Sequence, residues 1–235
     1  MMKKIYLLLI FITSISFAQK EVNLDNNLTC NTVQADNTTK SVGLTYIGDN
    51  TIILKNFDLN SNTNYAYLTD KQDELSQRVN VMYKFPERKF DDYSFFTYQF
   101  NSSLIRKIET DHWFGVGYGV KTKVDSTLTL STSYALVFQD ILCNTGEAKT
   151  FFRHSLRGKV KLTRNDFEIT SEYFYQPNIQ YFNEYMIVGT SKFVIMPKNK
   201  LNFVIQDVLN YNSVAEIKVL HTISLGIQYK FNKKF

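Results

Sequence analysis

Four basic side chains recur at odd positions between residues 153 and 161: Arg153, Arg157, Lys159 and Lys161. In an extended strand successive side chains point to opposite faces, so all four share one side. Glu168 and Glu172 follow at even positions just beyond Arg164-Asn165. A two-residue turn there would set Lys161 opposite Glu168 and Arg157 opposite Glu172, and opposite charges facing across an antiparallel pair stabilise each other. Arg78, Lys84, Lys121, Lys123 and Lys192 fall on the equivalent face of their own stretches, where acids are few. Enclosed in a barrel, such a face has two uses. It is a charge ladder whose members satisfy one another, or it is a positive lumen that concentrates small anions or acidic oligosaccharides and passes them between basic groups.

Other chemistries find less support. A membrane phospholipase needs a His, a Ser and a polar orienter grouped on the outer wall. His154 and Ser155 are adjacent, so alternation sends them to opposite sides, and His221 and Ser224 are likewise out of phase. His112 opens its strand with no obvious nucleophile beside it. Gly115, Gly117 and Gly119 lie inside a strand pattern with no following helix to cradle phosphate, so a steric role fits them better. Two cysteines, Cys30 and Cys143, make neither a disulfide framework nor a metal site. The expectation is no catalysis, no metal and no cofactor.

The elements that must position these side chains begin with an export signal. Met1-Met2-Lys3-Lys4 is basic, Ile5 to Ile12 is apolar, and Ser16-Phe17-Ala18 offers small residues for cleavage before Gln19. Loss of Lys3 and Lys4 leaves 25 basic residues against 22 acidic ones, an excess too small to imply nucleic acid. No stretch is long and apolar enough for a transmembrane helix, so a membrane protein of this sequence must be a barrel. Residues 19–40, polar and Asn-rich, read as a flexible N-terminal arm, and 41–235 as the barrel. Strands are expected at 41–47, 51–57, 62–68, 77–85, 92–106, 112–123, 126–140, 151–163, 166–177, 184–196, 200–211 and 219–231. The fold class is therefore all-β, an antiparallel up-and-down transmembrane barrel of about twelve strands.

From the fourth strand on, one face is apolar or aromatic, as in Phe96, Tyr98, Phe100, then Phe114, Val116, Tyr118, then Leu128, Leu130, Tyr134, Leu136. Strand length, aromatic residues near strand ends and an alternation of short and longer connections all place that face against lipid. The longer connections are expected at 107–111, 141–150, 178–183 and 212–218, on the outer side. Asp207 is anomalous, because it shares the lipid-facing row with Leu201, Phe203, Ile205 and Leu209.

The last strand alternates through Ile223, Leu225, Ile227, Tyr229 and Phe231. Ser224, Gly226, Tyr229 and Phe231 resemble the C-terminal sorting signal of outer-membrane barrels, and this strand should close the sheet against Ser41 to Ile47. Further residues carry a wider resemblance: Tyr98-Gln99-Phe100, Leu104-Ile105-Arg106, Gly115-Val116-Gly117-Tyr118-Gly119, Phe152-Arg153-His154-Ser155-Leu156-Arg157, Tyr175-Gln176-Pro177 and Leu225 to Phe231. Together they resemble a family of outer-membrane proteins described as salt-induced. That resemblance implies a barrel in the bacterial outer membrane and no established reaction or ligand. The expected partners are outer-membrane lipid, periplasmic chaperones and the barrel-insertion machinery, with the protein a monomer. An envelope structural role, a narrow anion channel, a phospholipase, and a soluble periplasmic β-sandwich or lipocalin-like binder remain the open readings.

Overall fold

The structure, a computed structural model, describes residues 21–35, 39–54, 56–68, 74–86, 91–104, 106–195, 201–215 and 218–234. The signal segment lies outside the described residues. Twelve strands follow in order: β1 (Glu21–Ala35), β2 (Thr39–Ile53), β3 (Phe57–Leu68), β4 (Glu74–Lys84), β5 (Asp91–Ser103), β6 (Ile108–Lys123), β7 (Leu128–Cys143), β8 (Ala148–Thr163), β9 (Phe167–Pro177), β10 (Tyr185–Ile195), β11 (Leu201–Asn212) and β12 (Val219–Lys234). Each pairs antiparallel with its sequence neighbours, and β1 pairs with both β2 and β12, closing the barrel. Closure leaves no strand edge unpaired, the condition for crossing a bilayer with strands.

The expected number of strands is present, but two errors cancel to produce it. Residues 19–40 are not a structureless arm: β1 runs through them, and β2 begins at Thr39. The expected strands 41–47 and 51–57 are largely one strand, since β2 continues through Gly48-Asp49-Asn50. These three residues look like a turn, but neighbours on both sides bind their backbone, with Gly48 opposite Asn26 and Thr63. The closing partner of β12 is consequently β1, from Glu21↔Lys234 to Ala35↔Leu220, and not Ser41 to Ile47.

The connections also differ from expectation. The stretches 107–111 and 141–150 shrink to 104–107 and 144–147, and the longest connection at either end is 178–184. Turn chemistry explains the shortening. Gly146 takes a φ of 82° and its N–H donates to Cys143 O at 2.8 Å, while Cys143 N–H donates to Glu147 O at 2.9 Å. Lys107 takes a φ of 58°, and its N–H donates to Leu104 O at 3.2 Å. Asp125 closes the β6–β7 turn by accepting from the N–H groups of Thr127 (2.6 Å) and Leu128 (2.8 Å).

The apolar face points outward. Val116 (59%), Phe152 (57%) and Leu225 (57%) are among the many large side chains exposed on the wall. A soluble sandwich would bury this face, so the arrangement is that of a membrane barrel. Aromatic rings border the wall at both ends: Phe57–Tyr83–Phe85 towards the termini, and Tyr175–Tyr185–Tyr211 with Phe138–Phe152 at the far end. Inside, Trp113, Ala135, Val137 and Met186 pack together with Phe95 and Val188. The cluster draws on β5, β6, β7 and β10, so it bridges the interior and fills part of it. Gly117 permits the packing, since a Cβ there would stand 2.6 Å from the Phe95 ring.

Candidate functional site

The inward row of β8 divides into three levels. At the far level, Arg153 is fully buried (0% exposed) and leaves the expected charge ladder altogether. Its Nε donates to Gln139 Oε1 at 2.7 Å, its Nη1 donates to the Gln176 and Glu184 carbonyls at 3.2 and 3.3 Å, and its guanidinium stacks 4.6 Å from the Phe151 ring. Gln139 donates in turn to Asp111 at 3.0 Å, which also accepts from Asn101 at 3.1 Å. Asn101 accepts from Gln99 at 2.8 Å, and Gln99 accepts from Arg78 at 2.9 Å. One side-chain chain therefore runs across six strands, from β4 to β9. Sequence periodicity placed the basic residues on the inner face, but it left Asp111 in an expected connection and could not show that Gln and Asn links join strands this far apart.

The middle level is a constriction. Arg157 pairs with Glu172, and Lys159 lies 3.8 Å from the same carboxylate. Arg157 also reaches Tyr93 Oη on β5 at 3.2 Å. Arg78 on β4 sits over the Phe174 ring on β9 at 5.2 Å, with Arg157 at 5.9 Å from that ring. β4 and β5 are not neighbours of β8 and β9, so these contacts span the interior. Three cations thus gather near the Glu172 carboxylate, and Asp49 on β2 acts on Arg78 and, from across the lumen, on Lys159. The β8–β9 register is shifted by two residues from the expected one: Lys159 faces Glu172 and Thr163 faces Glu168. A shift of two keeps every side chain on its face, so Arg157–Glu172 and Lys161–Glu168 (3.0 Å) still form, as diagonal contacts.

Towards the termini the interior opens into a mouth. Lys161 pairs with Glu168, and Lys84 pairs with Asp58 at 2.6 Å. Lys121 faces Asp91 in register, and both Lys121 and Lys123 are exposed. Lys192 is half-buried on β10, opposite Thr170 and Gln206, and Thr170 in turn faces Lys161 on β8. Along β2–β5 the inward side chains Thr51, Asn60, Asn62, Asn80 and Thr97 stay half-exposed although they point inside. Water therefore reaches that wall, and the barrel is only partly filled.

The three histidines face outward, each engaged by a neighbour. His112 bonds Tyr98 Oη at 3.0 Å, His154 bonds Tyr134 Oη at 2.7 Å and stacks near Phe182, and His221 bonds Asp207 at 2.5 Å. The last contact accounts for Asp207, whose carboxylate has a partner on the wall. Ser155 is buried inside, on the opposite face from His154. In the expected sorting signal, Ser224 is buried inside and Tyr229 is exposed outside, and Phe231 continues β12 opposite Leu24. Cys143 is a free thiol.

No protein-family model and no curated protein matches the sequence. Solved structures do. The chain is similar to a KdgM porin in complex with disordered oligogalacturonate, with 13% identity over 88% of this chain and 99% of that one and a TM-score of 0.54. It is similar to the NanC porin, with 10% identity over 87% and 100% of the two chains and a TM-score of 0.58. The translocator domain of the autotransporter NalP from Neisseria meningitidis gives 11% identity, 97% and 95% coverage and a TM-score of 0.51. At these identities the likeness is one of fold. Single-chain barrels with an apolar wall and aromatic borders are proteins of the bacterial outer membrane, and the closed twelve-stranded sheet of this chain is an outer-membrane β-barrel.

Proposed function

We propose that the protein is a narrow diffusion channel, without catalytic activity, that favours small anions or acidic oligosaccharides. The observation that carries this is the constriction, where Arg78, Arg157 and Lys159 gather around the carboxylate of Glu172. A surplus of fixed positive charge beside a water-accessible wall lowers the barrier to anions and raises it for cations. The exposed Lys121 and Lys123 extend the positive field to the mouth. The similar KdgM porin was solved with oligogalacturonate, an acidic oligosaccharide, which supports the substrate class. In this reading the mouth near the termini faces the periplasm. Ser224, Gly226, Tyr229 and Phe231 address the chain to the barrel-insertion machinery after periplasmic chaperones have carried it.

The test is conductance of the purified protein in planar bilayers with ion substitution. Anion-selective current that weakens when an acidic oligosaccharide is added supports the channel, whereas cation preference or the absence of current sinks it. A second reading, an envelope structural role within the salt-induced family that the sequence resembles, draws on the packed Trp113 cluster and the Arg153 chain. It expects no current at all.

A further inference from the structure

The outer wall carries polar side chains on several strands, and on β5–β8 His112 and His154 bond Tyr98 and Tyr134. On β9–β12 the polar groups likewise satisfy one another. The Ser171 and Ser191 hydroxyls are 3.1 Å apart, Tyr173 Oη lies 3.3 Å from Ser191 Oγ, and Asp207 holds His221 at 2.5 Å.

On β2–β4 the polar groups have no such arrangement. Leu44, Tyr46, Tyr65 and Tyr67 are exposed on the wall, and alternation from them places Asn50, Ser61, Thr63 and Gln77 on the same outer side. Register sets Asn50 beside Ser61 and Thr63 beside Gln77. Among the described residues, none hydrogen-bonds to these four side chains, and all four are half-exposed. On β3 the pair Ser61 and Thr63 lies between aromatic borders, with Tyr65 and Tyr67 on one side and Phe57, 5.0 Å from Tyr83, on the other. That is the depth of the hydrocarbon, where lipid tails offer no hydrogen bond and an unpaired amide or hydroxyl is costly.

We propose that this patch is a two-fold contact with a second copy of the chain, in place of the monomer expected from sequence. Amide and hydroxyl groups both donate and accept, so an uncharged patch built from them is its own complement across a two-fold axis. A partner from the aqueous phase cannot reach this depth, and a charged ligand finds no counter-charge on the patch. Ser61 and Thr63 are small enough to let two walls approach, and the exposed Leu44, Tyr46, Tyr65 and Tyr67 supply apolar contact around them. The β5–β8 wall instead presents Phe96, Phe114, Val116, Leu136 and Leu156 to lipid, with Thr132 as an isolated exposed hydroxyl and His112 and His154 bonded to tyrosines, which suits a surface that stays in lipid.

The experiment is cross-linking in native outer membranes, in a background carrying Cys30→Ser and Cys143→Ser. Oxidation of Ser61→Cys should give a disulfide-linked species of twice the chain mass, and Leu156→Cys on the far wall should not. In detergent the wild type should have the mass of two copies. A combined Asn50→Leu, Ser61→Leu, Thr63→Leu variant should have the mass of one copy while keeping the heat-modifiable mobility of a folded barrel. A single-copy mass for the wild type overturns the proposal. So does linkage through Leu156→Cys, or an adduct of Ser61→Cys with a protein of another mass.

Discussion

The two walls of the lumen are built on different principles. Along β6–β10 the interior is packed: Trp113, Ala135, Val137 and Met186 meet across it, and Arg153 is sealed among Gln139, Phe151 and the Gln176 carbonyl. Along β2–β5 the inward rows include Thr51, Asn60, Asn62, Asn80 and Thr97, half-exposed and wet, beside the paired Asp58 and Lys84. Twelve strands lie between the roughly eight whose interior side chains alone can fill and the roughly sixteen that leave an open aqueous channel. In the proposed channel, one wall carries the packing and the other carries the passage. Arg78 and Arg157 stand where the two meet.

Variants can break this division one wall at a time. Arg153→Ala should have the largest effect, because it leaves Gln139 and Asp111 short of a partner in the packed wall. A loss of about 3 kcal/mol is expected in urea unfolding from detergent, with the ion preference of the surviving folded protein unchanged. Gly117→Val should cost up to about 3 kcal/mol, because its Cβ would press on the Tyr134 carbonyl of the paired strand as well as on the Phe95 ring, and a displaced Phe95 should lower single-channel current as well. Arg78→Ser with Lys159→Ser should do the reverse of Arg153→Ala. Stability should change by no more than about 1 kcal/mol, while the reversal potential in a salt gradient moves towards no selectivity. If Arg153→Ala alters selectivity as much as Arg78→Ser does, the two walls are not separable.

The smallest effect belongs to a turn. Asp125 is held below the ordinary carboxylate range by the Thr127 N–H, with the Thr127 hydroxyl and the Leu128 N–H adding to it. A depressed folded-state pKa means stabilisation that is present above the unfolded value and lost as pH falls through the folded one. Asp125→Ala should therefore unfold slightly earlier than wild type at neutral pH, and the two should converge in acid. A gap that widens on acidification would show that Asp125 does not act through its charge.

Much of the wall was legible in the sequence, because β4 to β12 keep an apolar row at the spacing that only a strand can present. β1 was not. Leu24, Leu28 and Cys30 alternate with Asn23, Asp25, Asn27 and Thr29, but Asn26 interrupts the row, and an interrupted row of this length resembles a solvated arm. β2 was hidden by Gly48-Asp49-Asn50, a local turn signal overridden by pairing on both sides. At Gly48 a Cβ would stand 2.8 Å from Tyr46 Oη, so the glycine makes room for a ring as well as resembling a turn. Of the site, the cations and their common face follow from alternation. The constriction does not, because Arg78 meets Phe174 only when strands far apart in the chain face each other across a narrow lumen.

The short connections have a consequence beyond the bilayer. With none longer than 178–184, the barrel projects little past its own rim. Among the described residues no long connection can fold back as a lid, and antibodies, phages and proteases find little loop to grip there. In the proposed channel, control of passage would then fall to side chains in the wall, through the ionic strength and the charge of the solute itself.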